Sequence, residues 1–279
     1  MHRNIAGEET SEAVSFPGVG RVLRLRKDWE ALAALLPELR TSATIYRSPH
    51  VLLCRVGRFG RLQFSPGCAH RMEGVQGDSL RMEKWSEAFW HVEERNGESC
   101  PCVEIADERG RGFLKLCYRG MEEAEEDLAL LEPLIESEGD GWDLLHLRRA
   151  NALDCGCLDR GLRKKGKWLW NHLERIFQEA REKGVAPGMI LPHDPATTWD
   201  ELRPEEISRH GCWMSVAQAG QCLHVRPSFF HRVQFVGHGE RPVLLFADQH
   251  GEIVLTLIEP EGCRMDSIAA LGKEIARRS

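Results

Sequence analysis

The chain has 279 residues, of which 42% are hydrophobic and 29% are charged, and its formal net charge is −6. This acidic balance excludes a general nucleic-acid-binding protein, because such proteins present a basic face. No apolar run approaches the ~20 residues that span a bilayer, and the first fifteen residues lack the apolar core of a signal peptide. The sequence therefore predicts a cytoplasmic globular protein with no nucleic-acid partner and no membrane span.

The first half of the chain predicts two helices among short strands. Residues 27–39 and 81–94 carry apolar side chains three or four positions apart, which is helical spacing. Residues 65–80 are rich in glycine and predict a loop. Alternating or continuous apolar runs predict strands at residues 41–46, 51–56, 61–64, 103–106 and 112–118.

The second half predicts further helices and a second set of strands. An acidic amphipathic helix is predicted for residues 122–135, and residues 154–167, rich in glycine and charge, predict a linker. Residues 168–183 predict a helix that ends before Gly184 and Pro187. Residues 192–204, with three prolines, predict a loop. Strands follow from residue 212, and residues 267–278 predict a closing helix.

One pattern of the chain occurs twice. Strand-like runs lead into Arg61–Phe64 in the first copy and into Arg232–Phe235 in the second. Each copy then reaches an apolar run ending in Ala-Asp, two residues and Gly, at Asp107 and at Asp248. An Asp at such a position commonly forms a turn. The interval from Phe64 to Asp107 in the first copy is much longer than the interval from Phe235 to Asp248 in the second. This alignment therefore predicts that the second half lacks a segment.

Internal repetition decides the architecture before local motifs do. The sequence predicts an α+β fold of two structurally related halves, each an antiparallel β-sheet with flanking helices. The first half is expected at residues 16–138 and a shortened second half at residues 211–279. Residues 139–210 are expected to form a helical or irregular connection.

Ten cysteines are many for a chain of this length. Several lie in apolar runs, where a reduced cysteine acts as a small hydrophobic residue. The pairs Cys100/Cys102 and Cys155/Cys157 are closer in sequence than the usual C-x2-4-C spacing of zinc sites. They offer a metal-binding interpretation that the spacing disfavours. Other catalytic signatures are missing from the sequence: it has no G-x-S-x-G elbow, no phosphate-binding loop and no H-E-x-x-H helix.

The order of several short motifs resembles a known family. Asp78-Ser79-Leu80-Arg81 precedes Trp85, as a D-L-R motif precedes a Trp segment in the haem-utilisation or hemin-degrading proteins (the HemS/HmuS/ChuX-like group). Residues 220–224 and 246–251 are similar to two strand motifs of the family's second half. The resemblance covers most of the chain as an order of motifs. The chain is a divergent and shortened version, and residues 150–212 do not align.

The resemblance implies a haem cofactor and a set of site residues. The family uses a His in the region that joins the halves and an Arg on the opposite face, and the nearest positions here are His146, as iron ligand, and Arg81. An ion pair with Glu83 or Glu87 is the alternative for Arg81. Arg149 follows His146 closely enough to serve the propionates. Further candidates, from helix position or strand alternation, are His172, His224 and Arg226.

These observations predict a haem-binding protein of haem or iron utilisation, either a carrier or a haem-degrading protein. Its expected partners are haem, an electron donor or a haem oxygenase, and a second copy of the chain in a homodimer. The alternative is a duplicated α+β scaffold without haem that acts as an interaction or regulatory protein. Whether the protein is an enzyme stays open at this point.

Overall fold

The computed structural model describes residues 19–48, 50–95, 97–139, 144, 167–237 and 241–278. Predictions for His146, Arg149 and the pair Cys155/Cys157 fall outside the described residues. Within them, no helix is long and apolar enough to cross a membrane.

The described residues form eighteen strands, four α-helices and three 3-10 turns. The first half contains β1 (Val19–Leu25), α1 (Trp29–Leu35), β2 (Ala43–Arg47), β3 (Val51–Val56), β4 (Gln63–Ser65), β5 (Cys68–Glu73), β6 (Gln76–Arg81), a 3-10 turn (Met82–Lys84), β7 (Trp85–Arg95), β8 (Glu98–Asp107), β9 (Gly112–Cys117), α2 (Met121–Leu131), a 3-10 turn (Glu132–Leu134) and β10 (Ile135–Gly139). The second half contains α3 (Lys167–Lys183), β11 (Gly188–Leu191), β12 (Ala196–Glu201), β13 (Glu206–His210), β14 (Trp213–Gln218), β15 (Gln221–Val225), a 3-10 turn (Pro227–Phe229), β16 (Arg232–Val236), β17 (Val243–Ala247), β18 (Ile253–Ile258) and α4 (Asp266–Arg278).

The strands form two antiparallel sheets. The large sheet has the order β10-β1-β7-β8-β9-β2-β3-β15-β14-β13, and the small sheet has the order β16-β17-β18-β11-β12-β6-β5-β4. Each sheet joins strands from both halves, at the pair β3–β15 in the large sheet and at the pair β12–β6 in the small one. The inner faces of both sheets and all four described α-helices share one hydrophobic core. The predicted α+β fold is therefore confirmed.

The two sheets have the same strand order once the halves are exchanged. The run β7-β8-β9-β2-β3-β15-β14-β13 of the large sheet corresponds to the run β16-β17-β18-β11-β12-β6-β5-β4 of the small sheet. Corresponding elements keep a constant interval: β5 and β14, β6 and β15, and the 3-10 turns at Met82 and Pro227 each begin 145 positions apart. The prediction of two structurally related halves is confirmed.

The repeat alignment read from the sequence is wrong in part. The topology matches Arg232–Val236 with Trp85–Arg95, not with Arg61–Phe64. The second half therefore lacks no segment of the eight-strand pattern. The Ala-Asp-x-x-Gly turns at Asp107 and Asp248 do correspond. Residues 139–210 also contain the strands β11, β12 and β13, and the boundaries of the halves stay a prediction.

Three local predictions are also wrong, because the structure has strands where the sequence predicted one helix and two loops. Residues 85–95 form β7, not a helix, and residues 68–81 form the hairpin β5–β6, not a loop. Strand β12 occupies part of the predicted loop 192–204. In β7 the neighbours Phe89 and Trp90 are both buried, because both faces of the sheet are covered there. A strand covered on both faces shows no period-two alternation, so its apolar spacing is ambiguous.

Both Ala-Asp-x-x-Gly sequences form the predicted turns. Asp107 Oδ1 accepts hydrogen bonds from the backbone N–H groups of Arg109 and Arg111, each at 2.9 Å. Asp248 Oδ1 accepts from the N–H groups of His250 and Glu252, at 2.8 and 3.1 Å. The same side-chain chemistry therefore closes the hairpins β8–β9 and β17–β18.

A buried ionic cluster joins the two sheets. The Arg55 guanidinium on β3 donates to Asp78 (2.7 Å), Asp200 (2.8 Å) and Thr198 (2.8 Å) of the small sheet. Asp78 also accepts from Arg71 and from the Thr198 hydroxyl. All five residues are buried, so each charge depends on these partners. The cluster fixes β6, whose last residue is Arg81, against the large sheet.

A close contact between β6 and β12 gives a stability prediction. Gly77 pairs with Trp199, and a Cβ atom at position 77 would lie 2.0 Å from the Trp199 ring. We expect Gly77→Ala to displace the indole and to lower the free energy of unfolding by about 1–3 kcal/mol, measured by urea unfolding followed by tryptophan fluorescence. Gly20→Ala is the control, because its Cβ would meet its nearest neighbour at 3.4 Å. Equal stability of the two variants would contradict the prediction.

Candidate functional site

A cavity of about 720 Å³ lies where the turns of both halves meet. The hairpin turns β8–β9, β17–β18 and β11–β12 form its walls, together with the segment that leaves β6. It is lined by Ser48, Arg81, Lys84, Asp107, Glu108, Arg109, Arg111, Pro192, His193, Asp194, Pro195, Thr197, Asp248, Glu252, Ile253 and Val254. Its volume lies within the roughly 300–1,000 Å³ of small-molecule sites.

Arg81 stands at the cavity with exposed ionic partners. Its Nη1 lies 2.7 Å from Asp194 Oδ1 and its Nε lies 3.0 Å from Glu83 Oε1, so the predicted pairing with Glu83 is confirmed. Lys84 Nζ lies 3.6 Å from the other oxygen of Asp194. The side chain of Arg81 is 45% exposed and that of Asp194 is 64% exposed. Such exposed pairs contribute little, and an anionic ligand group can replace Asp194 beside Arg81.

His193 brings a nitrogen donor to the same cavity. It lies in the β11–β12 turn, where its carbonyl accepts from Ala196 N at 2.9 Å, and its ring stacks on Phe113 with 5.9 Å between ring centroids. Its Nδ1 is buried without a hydrogen-bond partner. Burial lowers the pKa of His193 to about 4, and the positive charge of Arg111 acts in the same direction. The imidazole is therefore neutral near pH 7 and can offer a lone pair.

Arg226 occupies the position in the second half that Arg81 occupies in the first. Each residue immediately precedes a 3-10 turn. The backbone N–H of Arg226 donates to His50 O at 2.9 Å, and that of Arg81 donates to Pro195 O at 3.0 Å. The Arg226 guanidinium lies 4.0 Å from the Trp213 ring centroid. Its Nε and Nη1 atoms are buried without hydrogen-bond partners. Two residues that the sequence selected separately are thus structural counterparts.

His50 is the buried imidazole beside Arg226. It is 6% exposed and stacks on Phe229 with 4.7 Å between ring centroids. Its Nδ1 has no hydrogen-bond partner. Burial and the nearby charge of Arg226 lower the pKa of His50 to about 4. His50 and His193 therefore have similar environments in corresponding turns, but only His193 is among the residues that line the cavity.

The other predicted site residues lie elsewhere. His224 on β15 makes a 2.7 Å hydrogen bond through Nδ1 with Ser215, and burial lowers its pKa. His172 on α3 packs against the edge of Trp168, with 5.6 Å between ring centroids. Of the four predicted residues within the described part of the chain, Arg81 alone is among the cavity's lining residues. His146 and Arg149 stay predictions.

Sequence reasoning missed His193 and the cavity itself. The Pro-His-Asp-Pro segment 192–195 reads as an ordinary polar loop. The only sequence signal for His193 is its position between Pro192 and Pro195. That pattern is too common to identify a functional histidine. The cavity forms from turns that are far apart in sequence, so no local pattern reports it.

The architecture places the chain in a class of duplicated α+β proteins in which each of the two antiparallel sheets contains strands from both halves. Solved structures that share this fold include the following two proteins. One is holo-PhuS, a heme-binding protein from Pseudomonas aeruginosa, with a TM-score of 0.67 and 17% identity over 91% of this chain and 86% of that chain. The other is ChuS, a heme degrading enzyme from Escherichia coli O157:H7, with a TM-score of 0.67 and 14% identity over 90% of this chain and 86% of that chain.

The sequence resemblance to haem-utilisation proteins is thereby confirmed at the level of the fold. No protein-family model matches the chain, and no curated protein sequence matches it significantly. At 14–17% identity the comparison establishes the fold, and function must be argued from the site.

Proposed function

We propose that this protein binds haem in the cavity beside Arg81 and acts in haem utilisation. The observation that carries the proposal is the likeness of nearly the whole chain to PhuS, which is described as a heme-binding protein. ChuS, which has the same fold, is described as a heme degrading enzyme and as a heme oxygenase. No observation on the described residues favours the alternative of a scaffold without haem.

The cavity residues fit the chemical demands of haem. Haem needs a nitrogen, sulfur or oxygen donor for its iron, cations for two carboxylates, and apolar contacts for the ring. His193 offers a neutral imidazole. Arg81, Lys84 and Arg109 offer cations around it. Apolar contact comes from Ile253 and Val254 in the wall and from Phe113 behind His193.

Each residue has a defined task in this proposal. His193 presents its nitrogen from a turn that Pro192 and Pro195 hold, so little ordering is required on binding. Arg81 and Lys84 exchange their contacts with Asp194 for a carboxylate of the ligand. Phe113 keeps one face of the His193 ring from water. Bound haem would supply a redox-active iron, which His193 would hold through its imidazole.

The choice between haem carrier and haem-degrading enzyme, the cellular location and the oligomeric state are also proposals. As a carrier, the protein would pass haem to a partner such as a haem oxygenase. As a degrading enzyme, it would need an external electron donor. A cytoplasmic location and a homodimer are likewise proposed from the sequence.

Hemin titration of the purified protein, followed by Soret absorbance, tests the proposal. We expect a saturable one-to-one spectral change in the unaltered protein. His193→Ala should weaken hemin binding at least about tenfold, which is 1.4 kcal/mol, and should move the Soret maximum because the iron loses its donor. His50→Ala is the matched control, since it removes a similarly buried imidazole outside the cavity and should leave the spectrum unchanged.

Different results would refute haem binding by the protein and the assignment of His193 as the iron ligand. Absence of a saturable change in the unaltered protein would refute haem binding. A normal spectrum in His193→Ala together with an altered one in His146→Ala or His172→Ala would refute the role of His193. Arg81→Ala should weaken binding modestly, and this loss should shrink as salt screens the carboxylate contact.

A further inference from the structure

A second group of chemically reactive side chains lies on the outer face of the large sheet, apart from the cavity. It comprises His91, Glu93, Cys102, Glu104, Lys115 and Cys117 on the adjacent strands β7, β8 and β9. The first five residues are at most 4% exposed, and Cys117 is partly exposed. Donor atoms of His91, Glu93 and Cys102 all lie within 4.8 Å of one another.

The contacts within this group are close. Cys102 Sγ lies 3.2 Å from His91 Nε2, and His91 Nε2 lies 3.1 Å from Glu104 Oε2. Lys115 Nζ is hydrogen-bonded to Glu93 and lies 3.9 Å from Glu104 Oε2. Imidazole, thiol and carboxylate therefore converge, and these are the donor types that proteins use to bind zinc.

Cys117 faces Cys102 directly. The two residues pair across β8 and β9, next to the pair in which Tyr118 N donates to Pro101 O at 3.0 Å. Hydrogen-bonded and non-hydrogen-bonded pairs alternate in an antiparallel ladder, so Cys102 and Cys117 form a non-hydrogen-bonded pair. In such pairs the Cα atoms are only about 4.5 Å apart and the side chains are close. A second thiol is thus within reach of the group.

The second half shows that the fold does not need this group. The turns at Asp107 and Asp248 correspond, and the Cys102–Cys117 pair corresponds to Val243–Ile258. The neighbour of Cys102 on β7 is His91, whereas the neighbour of Val243 on β16 is Val236. Aliphatic side chains therefore fill the same sheet positions in the other half. Replacing a buried ion pair by apolar side chains of similar volume is often neutral or stabilising, so stability alone does not account for the polar set.

We propose that His91, Cys102 and Cys117, with Glu93 as the fourth donor, form a binding site for Zn²⁺. Ligand atoms around a tetrahedral zinc are roughly 3–4 Å apart, given bonds of about 2.0–2.3 Å. The donor atoms of His91, Glu93 and Cys102 already lie within 4.8 Å of one another, and Cys117 joins them by a rotation of its side chain from the strand position opposite Cys102. With two thiolates and the Glu93 carboxylate the zinc site carries one net negative charge, which the adjacent Lys115 ammonium offsets. Lys115 keeps Glu104 as its partner when Glu93 turns to the metal. Arg47 Nη1, 2.8 Å from Glu104 Oε1, holds that carboxylate beside the His91 ring.

Zinc binding by the reduced full-length chain tests this site independently of haem. We expect one Zn²⁺ to be bound in competition with a chromophoric chelator. Cobalt substituted for zinc should give the visible bands of tetrahedral geometry and thiolate-to-metal charge transfer in the near ultraviolet. Cys102→Val with Cys117→Ile, which copies the second half, should abolish the charge-transfer band and weaken zinc binding at least about a hundredfold.

The controls distinguish a specific zinc site from non-specific zinc binding by the other cysteines. Cys54 and Cys222 also face each other across two strands, and replacing both by alanine should leave zinc binding unchanged. His91→Val should weaken zinc binding and keep the charge-transfer band. Unchanged affinity in Cys102→Val/Cys117→Ile, with its fold verified by circular dichroism, would overturn the proposal. Equal losses in the Cys54/Cys222 variant would also overturn it.

Discussion

Replacing Asp78 by alanine is expected to lower the free energy of unfolding by about 3–5 kcal/mol, because it leaves buried charges without a partner. Asp78 is fully buried and accepts hydrogen bonds from Arg55, Arg71 and the Thr198 hydroxyl. Among the described residues, Arg55 would keep Asp200 as an ionic partner, but Arg71 would keep only Glu73, whose side chain is 70% exposed. The loss should appear in equilibrium urea unfolding as a lower midpoint with a similar slope.

Glu252→Ala supplies the control for this prediction. Glu252 and Arg109 form an ion pair of 3.8 Å whose side chains are 59% and 63% exposed. Removing it should change stability by less than about 1 kcal/mol. If Asp78→Ala were no more destabilising than Glu252→Ala, the cluster would not hold the two sheets together.

Local chemistry made part of the fold predictable. The turns at Asp107 and Asp248 depend on side-chain hydrogen bonds to backbone groups two and four residues on, and such short-range preferences are visible in sequence. The same holds for α3, whose apolar face and following Gly184 were recognised. The failure at residues 85–95 has a physical cause, because a strand buried on both faces carries apolar residues at helical as well as strand spacing.

The register of the two halves was not predictable from similarity of short segments. Arg61–Phe64 and Arg232–Phe235 look alike, but the first leads into β4 and the second lies in β16, and these strands form opposite edges of the small sheet. Arg81 and Arg226 do correspond, yet their surroundings share few residue types. Strand exchange between the halves places β15 beside β3 and β6 beside β12. Such pairing depends on contacts more than a hundred residues apart, which no local pattern encodes.

The candidate site was predictable only where the resemblance supplied a residue. Arg81 was selected from the D-x-L-R motif, and it does line the cavity. His193 has no comparable motif. His193 is a candidate ligand because its ring packs against Phe113 and its Nδ1 has no hydrogen-bond partner. Both features follow from tertiary packing. The sequence thus indicated the ligand class through the family and missed the imidazole that the fold places in the cavity.

Acid should destabilise the protein through His50 and His193 before its carboxylates titrate. Burial lowers both pKa values to about 4 in the folded state, whereas an unfolded histidine has a pKa of about 6.5. Between these values the unfolded state binds more protons, so stability rises with pH in this window. The stabilisation is complete above about pH 6.5 and is lost as pH falls toward 4. Each histidine should account for a loss of about 3 kcal/mol at pH 4.

Urea unfolding at pH 7 and at pH 4.5 measures this effect, with the double variant His50→Phe/His193→Phe beside the unaltered protein. Phenylalanine retains the ring contacts with Phe229 and Phe113 and cannot be protonated, so the variant should lose several kcal/mol less between the two pH values. His210→Gln is the control, because His210 is exposed and its replacement should leave the pH dependence intact. A double variant that loses as much stability as the unaltered protein would show that both imidazoles are already charged in the fold, and His193 would then be unsuited to donate a lone pair to iron.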